Sequence, residues 1–328
     1  MQSISLKVAR DDPRPRDSYT DLCGYLDASI IVDSDKLSFL HIGSGKEIFE
    51  VNINELKELY SKFKRVDESF LNKIKVKKEY DKFISTAKNI IIPGSSIKGN
   101  IRSRIELSFR GYNGIVKSCF INAGKPITKE PIEGTTGWRH YRIWKEVLSE
   151  DRGGPCNFTV MNKVCLLCDL FGTSGLKSLI DFNDFECVNA KIEYLDLPFD
   201  IKVQAISAGS EFKGRIYFRN LKEYELGLLL LGMGIKDSFE GRRVILGRFK
   251  YRSIMNSFKF GRVKYRLNEL ELSKYSRPLS IDNITLQPNT SIKGDLLNKL
   301  CKLLTDFTLK KFENEFRIID EVKILDEL

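Results

Sequence analysis

The sequence contains no apolar run of about 18 or more residues, the length that a membrane-spanning helix needs. Residues 226–233 are apolar, but they are too few to cross a bilayer. The first residues, which include Arg10, Asp11 and Asp12, lack the apolar core of a secretory signal. We therefore expect a cytoplasmic protein that has no membrane partner.

A nucleotide-binding P-loop is also lacking, although Gly43-Ser44-Gly45-Lys46 looks like part of one. Leu40 stands where the P-loop needs its first glycine, and Glu47 stands where Ser or Thr should follow the lysine. We therefore predict that this segment does not bind ATP. It is instead expected to be a small flexible loop that can approach a phosphate backbone, with a plain turn as the alternative.

What the chain has in excess is positive charge. Its 328 residues carry a formal net charge of +10, and the 42% of hydrophobic residues suit a globular protein. Between positions 242 and 266 all the charged residues are basic. Such a protein commonly binds a polyanion, most often nucleic acid, unless the charge serves solubility alone.

Residues 90–105 carry the most informative local pattern. An apolar run ends at Pro93-Gly94, a turn signal, and Ser95 or Ser96 can then cap a helix. Isoleucines at every fourth position from 97 to 105 predict one apolar helix face. Lys98 and Arg102 lie one turn apart near the helix start, where free backbone N–H groups favour an anion. The pattern predicts a phosphate site, with an ordinary capped helix as the alternative.

Cations alternate with aromatic residues between positions 247 and 262. Cations can contact phosphates and flat rings can stack on unpaired bases, so single-stranded RNA would satisfy both. In an amphipathic strand the same alternation would bury the rings and leave the cations in water. The candidate RNA contacts of this segment are Arg248, Lys250, Arg252, Lys259 and Arg262.

Seven cysteines in a protein expected in the cytoplasm are not expected to form disulfides. Cys165 and Cys168 have the spacing of a metal knuckle, and Cys156 lies nearby. His140 is the predicted fourth ligand, with Cys119 as the alternative. Buried free thiols are the other interpretation. A site closed by four protein ligands would be structural.

Four segments in order resemble the RAMP superfamily, which supplies RNA-binding subunits to type III CRISPR effector complexes. They are His-Ile-Gly-Ser-Gly at 41–45, Pro-Gly-Ser-Ser-Ile-Lys-Gly at 93–99 with Arg102 following, the Leu-Phe-Gly segment at 165–172, and Gly-Arg-Val-Lys at 261–264. The resemblance implies an α+β fold of one or two ferredoxin-like (RRM-like) units with insertions. It also implies a zinc site at the Cys-x2-Cys segment.

We predict two halves. Residues 1–178 form an N-terminal ferredoxin-like RNA-binding half, with a charged insertion at 46–89 and the possible zinc knuckle. Residues 179–328 form a C-terminal half with the basic aromatic segment and a terminal helix at 296–312. A second helix is predicted at 221–233, and residues 111–160 are predicted as loops with short elements.

Catalytic residues are harder to assign than binding residues. Backbone subunits of the family place an aspartate in the loop after the His-Ile-Gly segment, where it serves metal-dependent RNA cleavage. Here Glu47 and Glu50 follow that segment and Asp33 precedes it. Cleavage through the RNA 2′-hydroxyl usually uses a histidine, for which His41 is the candidate. Magnesium is expected only if the chain cleaves RNA.

The resemblance, together with the basic charge, implies a binding subunit that holds crRNA for recognition of complementary target RNA in a type III complex. Backbone and 3′-capping positions both fit, and other RAMP subunits are the predicted protein partners. The alternatives are a stand-alone endoribonuclease that processes crRNA and a backbone subunit that cuts target RNA through a loop carboxylate. The predicted RNA contacts are Gly43, Gly45, Lys46, Ser95, Ser96, Lys98, Arg102, Arg248, Lys250, Arg252, Lys259 and Arg262.

Overall fold

The computed structural model describes residues 3–121, 126–252 and 257–328. In this part of the chain no helix has both the length and the apolar character that crossing a bilayer requires. The helices are α1 (Ile53–Phe63), α2 (Glu68–Leu71), α3 (Gly94–Ser108), α4 (Thr136–Leu148), α5 (Leu166–Phe171), α6 (Glu223–Gly232), α7 (Gly294–Lys311) and α8 (Glu321–Glu327). The strands are β1 (Ile4–Ser5), β2 (Lys7–Val8), β3 (Leu22–Val32), β4 (Ser38–Leu40), β5 (Gly43–Val51), β6 (Val76–Phe83), β7 (Ile91–Ile92), β8 (Ile115–Val116), β9 (Glu150–Asp151), β10 (Ile180–Phe182), β11 (Phe185–Asn189), β12 (Ile192–Leu197), β13 (Ile201–Ser207), β14 (Glu211–Leu221), β15 (Glu240–Ile245), β16 (Lys259–Phe260), β17 (Arg262–Leu272), β18 (Leu279–Ile281), β19 (Ile284–Leu286) and β20 (Thr290–Ile292).

The largest sheet has the strand order β15-β17-β3-β14-β11-β7, with β10 and β20 joined at its sides. Its centre, β3, is antiparallel to both β14 and β17. Along the chain, the main strands and helices of this layer occur in the order β3, α3, β11, β14, α6 and β17. The mixed arrangement confirms the predicted α+β class. It also pairs strands from both sides of residue 178.

One face of this sheet is buried because apolar residues alternate along its strands. In β3, Leu26, Ala28 and Ile30 are buried and belong to the same core as the isoleucines of α3. Helix α6 is apolar all round, as expected for a helix enclosed by other elements. Its Gly232 lies so close to α3 that a Cβ there would come within 2.7 Å of Ile101. Both helices therefore cover one face of the sheet.

Helix α3 begins at Gly94, two residues earlier than a cap by Ser95 would allow. Pro93 occupies the N-cap position and makes no side-chain cap bond. Gly94 is required because a Cβ there would lie 2.1 Å from the Phe182 carbonyl oxygen. The backbone N–H of Gly94 donates to the Asp184 carboxylate at 2.8 Å. The predicted cap by Ser95 or Ser96 is therefore wrong, and a distant aspartate satisfies the first N–H instead.

A second sheet, ordered β16-β4-β13-β6-β5 with β12 beside β13, includes β5 and β6 from the predicted insertion. Helices α1 and α2 lie between β5 and β6 in the chain. The glycine-rich segment predicted as a loop is the start of β5, where the pairing with β6 shifts register between Gly43 and Glu47. Gly45 has a φ of 72°, which favours glycine and fits a bulge in the strand.

Predicted helices at 221–233 and 296–312 correspond to α6 and α7. The region predicted as loops, 111–160, contains the thirteen-residue helix α4; its residues 122–125 lie outside the described chain. Thr135 caps α4, and Trp138, Tyr141 and Trp144 are buried on one side. The three-residue spacing of these aromatics was the available signal, but nearby glycines and prolines outweighed it.

Candidate nucleic-acid interface and metal centre

Several segments that are distant in the chain meet around a cavity of about 220 Å³. Helix α3 contributes Ser96, Gly99 and Ser103 to its wall, and the segment after β15 contributes Lys250 and Tyr251. That segment lies against the chain at His41, because Arg248 N–H donates to the His41 carbonyl oxygen at 2.9 Å. At Gly247 a Cβ would come within 2.6 Å of the same oxygen. The cavity therefore lies where residues 96–107 and 245–251 meet Ile42, Trp144 and Glu321.

Of the two cations that line this cavity, Arg104 is paired with Glu321 and Lys250 is not. The Lys250 ammonium lies 5.3 Å from the centre of the Tyr251 ring, and burial lowers its pKa. Among the ion pairs found in the described residues, none involves Lys250. Glu321 lines the same cavity, but its carboxylate is bound to Arg104 at 2.8 Å and to the Ile245 N–H at 2.8 Å. A half-buried ammonium without a carboxylate partner favours binding of an anion.

Lys98 and Ser95 lie beside the start of α3. Ser95 is exposed and Lys98 is half-buried, with its pKa lowered by burial and partly restored by Asp181. Because the Asp184 carboxylate already accepts from the first N–H, this helix end is less free to hold a phosphate than the sequence suggested. Gly43, Gly45 and Lys46 are exposed at the start of β5.

Two predicted RNA contacts do not fit their surroundings. Arg102 is buried and donates to Glu106 at 2.7 Å and to the Gly172 carbonyl oxygen at 2.7 Å. The i,i+4 spacing of Arg102 and Glu106 was a local signal for this ion pair. Arg262 is buried too and is bound to Asp326 at 3.1 Å. Both side chains stabilise the interior, and neither is placed to reach RNA.

The basic aromatic segment follows the amphipathic alternative instead of a stacking platform. Phe249 and Phe260 are buried, so their faces are not open to bases. Arg248 pairs with Asp81, and Lys259 pairs with Asp35 at 2.9 Å. Arg252 lies 5.2 Å from the centre of the Phe249 ring. The predicted stacking by these phenylalanines is therefore wrong, while the cations remain at the surface.

Four buried cysteines form what we call the cysteine cluster: Cys119, Cys156, Cys165 and Cys168, whose sulfurs all lie within 4.8 Å of one another. Cys165 precedes α5 and Cys168 lies in its first turn, while the other two come from the segments after β8 and β9. Shared thiol hydrogen bonds, that with Cys119 foremost, lower the pKa of Cys156. This cluster could hold a metal ion.

The surroundings of the cysteine cluster favour negatively charged sulfur. Arg10 Nε donates to Cys156 Sγ at 3.4 Å, and Arg102 Nη2 donates to Cys168 Sγ at 3.2 Å. The N–H of Cys165 also donates to Cys156 Sγ, at 3.3 Å. Four thiolates around a divalent ion carry a net charge of −2, which two guanidinium groups can offset. Nothing in the sequence pointed to Arg10 in this role.

His140 is not part of the cysteine cluster, so the fourth member is Cys119, the alternative left open by the sequence. His140 instead lies against Tyr251, with 5.1 Å between ring centres, and burial lowers its pKa. Spacing alone could not decide between the two, because Cys119 is 46 residues from Cys165. Only the folded structure shows that Cys119, and not His140, lies beside Cys165.

The candidate catalytic residues are dispersed. His41 is fully buried, its Nδ1 lies 2.8 Å from the Gln204 carbonyl oxygen, and burial lowers its pKa. Asp33 is buried and faces Arg243 at 3.4 Å. Glu47 and Glu50 are exposed on β5, and a hydrogen bond with Glu79 raises the pKa of Glu47. Within the described residues, the cysteine cluster alone brings metal-ligand atoms of three or more such side chains together.

Ser103 lines the cavity without having been predicted. It continues the face of α3 that carries Ser96 and Gly99, at helical spacing. This stripe of small residues was visible in the sequence, but such stripes are common on helices that bind nothing.

Comparison with protein families gives one match. The model described as the RAMP superfamily matches residues 36–327, which is most of the chain. No curated protein matches this sequence.

Proposed function

Because this chain belongs to the RAMP superfamily, we propose that it holds guide RNA as a structural subunit of a type III CRISPR interference complex. Membership implies a CRISPR-associated, RNA-binding role, in a family that typically works with RNA and other Cas subunits. The type III assignment is supported by the four family-like segments, and both backbone and 3′-capping positions fit them.

The observation that carries the proposal is the cavity between α3 and the segment after β15. It combines hydroxyl groups of Ser96 and Ser103 with the unpaired ammonium of Lys250. Hydroxyls and ammonium groups both donate to phosphate oxygens, and contacts with the backbone give affinity without sequence preference. An RNA phosphate at Lys250 would supply a direct negative partner, which Glu321 of the same cavity does not because its carboxylate is bound to Arg104. Lys98, Lys46 and Arg248 would extend the contact along the strand.

The order of strands supports a ferredoxin-like unit as the scaffold. The four strands β17, β3, β14 and β11 are adjacent in that order, and α3 and α6 cover one face. Their sequence along the chain is strand, helix, strand, strand, helix, strand. We infer one such unit, with the second sheet built largely from its insertions.

The cysteine cluster would hold a structural zinc ion. Tetrahedral Zn–S bonds of about 2.3 Å place the sulfurs about 3.8 Å apart. The separations of 3.5 Å between Cys119 and Cys168 and 3.7 Å between Cys165 and Cys119 fit that geometry. With four protein ligands no position is left for a substrate, so the ion would fix the segments of Cys119 and Cys156 against α5.

Binding of single-stranded RNA to the Lys250→Ala variant tests the proposal. Loss of one phosphate contact should reduce the slope of log K against log salt by about 0.7. It should also weaken binding about tenfold, the effect of losing one charge-assisted hydrogen bond. Unrelated RNA sequences should be affected equally, because a phosphate carries no base information.

Lys299→Ala is the matched control, since it removes an exposed lysine on α7 and changes net charge equally. It should bind RNA like the wild type. Lys250→Arg keeps the charge and should recover part of the affinity. If Lys250→Ala matches Lys299→Ala in both affinity and salt slope, the cavity is not an RNA site.

A further inference from the structure

We propose that the solvent-facing side of the large sheet is a second surface for single-stranded RNA, where bases stack on Tyr217, Tyr25 and Arg215. This surface lies on the side of the sheet opposite to α3 and α6. It rests on the proposed function only in that its ligand is RNA. It differs from the Lys250 cavity in that stacking, more than phosphate contact, provides the binding.

The two tyrosines occupy the centre of the sheet. Tyr25 on β3 and Tyr217 on β14 are direct cross-strand partners, with 5.9 Å between their ring centres. Arg215 lies two residues before Tyr217 and therefore on the same face. Its guanidinium is 4.3 Å from the centre of the Tyr25 ring. Two rings and a planar cation thus form one continuous patch.

The patch is open to solvent at Tyr217, while Tyr25 beside it is half-buried. Tyr217 is 39% exposed although it lies in the middle of a paired strand. The Tyr25 hydroxyl is held by the Glu271 carboxylate at 2.5 Å, which fixes its ring on the sheet. Four-stranded sheets of this topology bind RNA by stacking bases on aromatic side chains of adjacent strands. Arginine planes serve the same purpose.

The outermost charges on the three central strands are positive. Lys213, Arg215 and Lys264 are exposed residues, and the side chains of the first two are 50% and 46% exposed. The acids of the same face are less exposed: Asp27, which pairs with Arg215 at 3.5 Å, Glu211 and Glu269 have side chains 30%, 18% and 16% exposed. An RNA strand on this face would therefore contact the more exposed cations, and the less exposed acids would hold those cations in position.

The dimensions suit a short stretch of RNA. Lys264 pairs with Ile31, six residues along β3 from Tyr25. At about 3.4 Å per residue this separation is about 20 Å, room for the two or three bases that such sheets usually stack. On the flanking strand β11, Glu186 lies opposite Lys213 and marks the edge of the positive zone.

A second pair of tyrosines lies at the end of the sheet where β3 begins and β17 ends. Tyr19 precedes β3 and Tyr275 follows β17, and their rings stack with 5.0 Å between centres and 10° between planes. Both rings are more than half exposed, and the ammonium of Lys274 lies 4.9 Å from the Tyr275 ring. An exposed stacked pair beside a cation offers a further position for an unpaired base.

Affinity of the full-length chain for an unstructured single-stranded oligoribonucleotide tests the inference. Tyr217→Ala should weaken binding by about 5-fold to 100-fold, the range observed when a stacking ring is removed. Tyr217→Phe keeps the ring and should bind like the wild type. Tyr112→Ala removes a tyrosine of similar exposure, 44%, elsewhere on the chain and should have no effect.

The salt dependence separates this surface from the Lys250 cavity. Tyr217→Ala removes no phosphate contact, so its slope of log K against log salt should equal that of the wild type. Ultraviolet cross-linking should attach RNA to peptides containing Tyr217 or Tyr25. Equal affinities of Tyr217→Ala and Tyr112→Ala would overturn the inference and leave the proposed function standing.

Two other outcomes also decide the matter. If Tyr217→Ala keeps full RNA affinity but loses a protein partner during purification, the face is a protein interface and the inference is wrong. If the wild-type chain binds no RNA at all, both the proposed function and this inference are wrong. Thermal melting of each variant confirms folding, since an exposed ring should contribute little to stability.

Discussion

Replacing Cys119 by serine should remove the metal from the cysteine cluster and the stability that the metal provides. Cys119 Sγ lies 3.7 Å from Cys165 Sγ, although the two residues are 46 positions apart. A metal bound to both would close that chain segment into a loop. By the entropy of the unfolded chain, closing a loop of this length is worth about 4 kcal/mol at 25 °C.

The loss should be visible as a lower melting temperature. For a chain of 328 residues, 1 kcal/mol corresponds to about 1.5 °C, so about 4 kcal/mol predicts a decrease of about 6 °C. The assay has two parts: metal content of protein purified without chelator, and melting temperature with and without a zinc chelator. The wild type should contain one zinc per chain, and chelation should lower its melting temperature by a similar amount.

Cys301→Ser is the control, because Cys301 is a buried thiol of α7 outside the cysteine cluster. Both serine variants place a hydroxyl where a thiol was buried, so that cost is shared. Only Cys119→Ser should lose the metal and its response to chelator. Wild-type protein that contains no zinc and melts identically with chelator would refute the reasoning and leave four buried thiols.

Two further predictions concern the glycines of α3 and the buried side chain of His41. Gly94→Ala should destabilise the fold by about 1–3 kcal/mol, because its Cβ would lie 2.1 Å from the Phe182 carbonyl oxygen. Gly99→Ala, which meets nothing within 4 Å, should instead be neutral or stabilising by up to about 1 kcal/mol in denaturant unfolding; equal effects would contradict the packing argument. Burial lowers the pKa of His41, so below about pH 6.5 the unfolded chain takes up a proton before the folded chain does. The free energy of unfolding should therefore decrease as pH falls below that value, and less steeply in His41→Gln; identical slopes would show that His41 does not contribute.

Much of the fold could be predicted because burial repeats at short range. The apolar alternation in β3 and the four-residue spacing of isoleucines in α3 mark elements that the structure contains. Local patterns gave the wrong prediction for α4, because nearby glycines and prolines indicated loops although its aromatic residues have helical spacing. They also failed at Gly43–Lys46, since a strand with a bulge contains the same residues as a flexible loop.

The candidate site was predictable as a set of segments but not as a set of contacts. The sequence determined that residues 41–45, 93–102 and 247–262 carry glycines, hydroxyls and cations suited to RNA. It could not determine that Arg262 is bound to Asp326, or that Lys250 has no carboxylate partner among the described residues. Such pairings join residues far apart in the chain, and only the tertiary structure brings them together.

The amino-acid sequence by itself determined the charge, the periodic burial and the supply of cysteines. Tertiary structure alone decided that Cys119 and not His140 completes the cysteine cluster, and that Tyr25 and Tyr217 lie side by side on an open sheet face. The physical reason is the same in both cases. Hydrophobic burial and backbone pairing fix where distant segments meet, and the chemistry of a site depends on distances of a few ångströms that chain order does not encode.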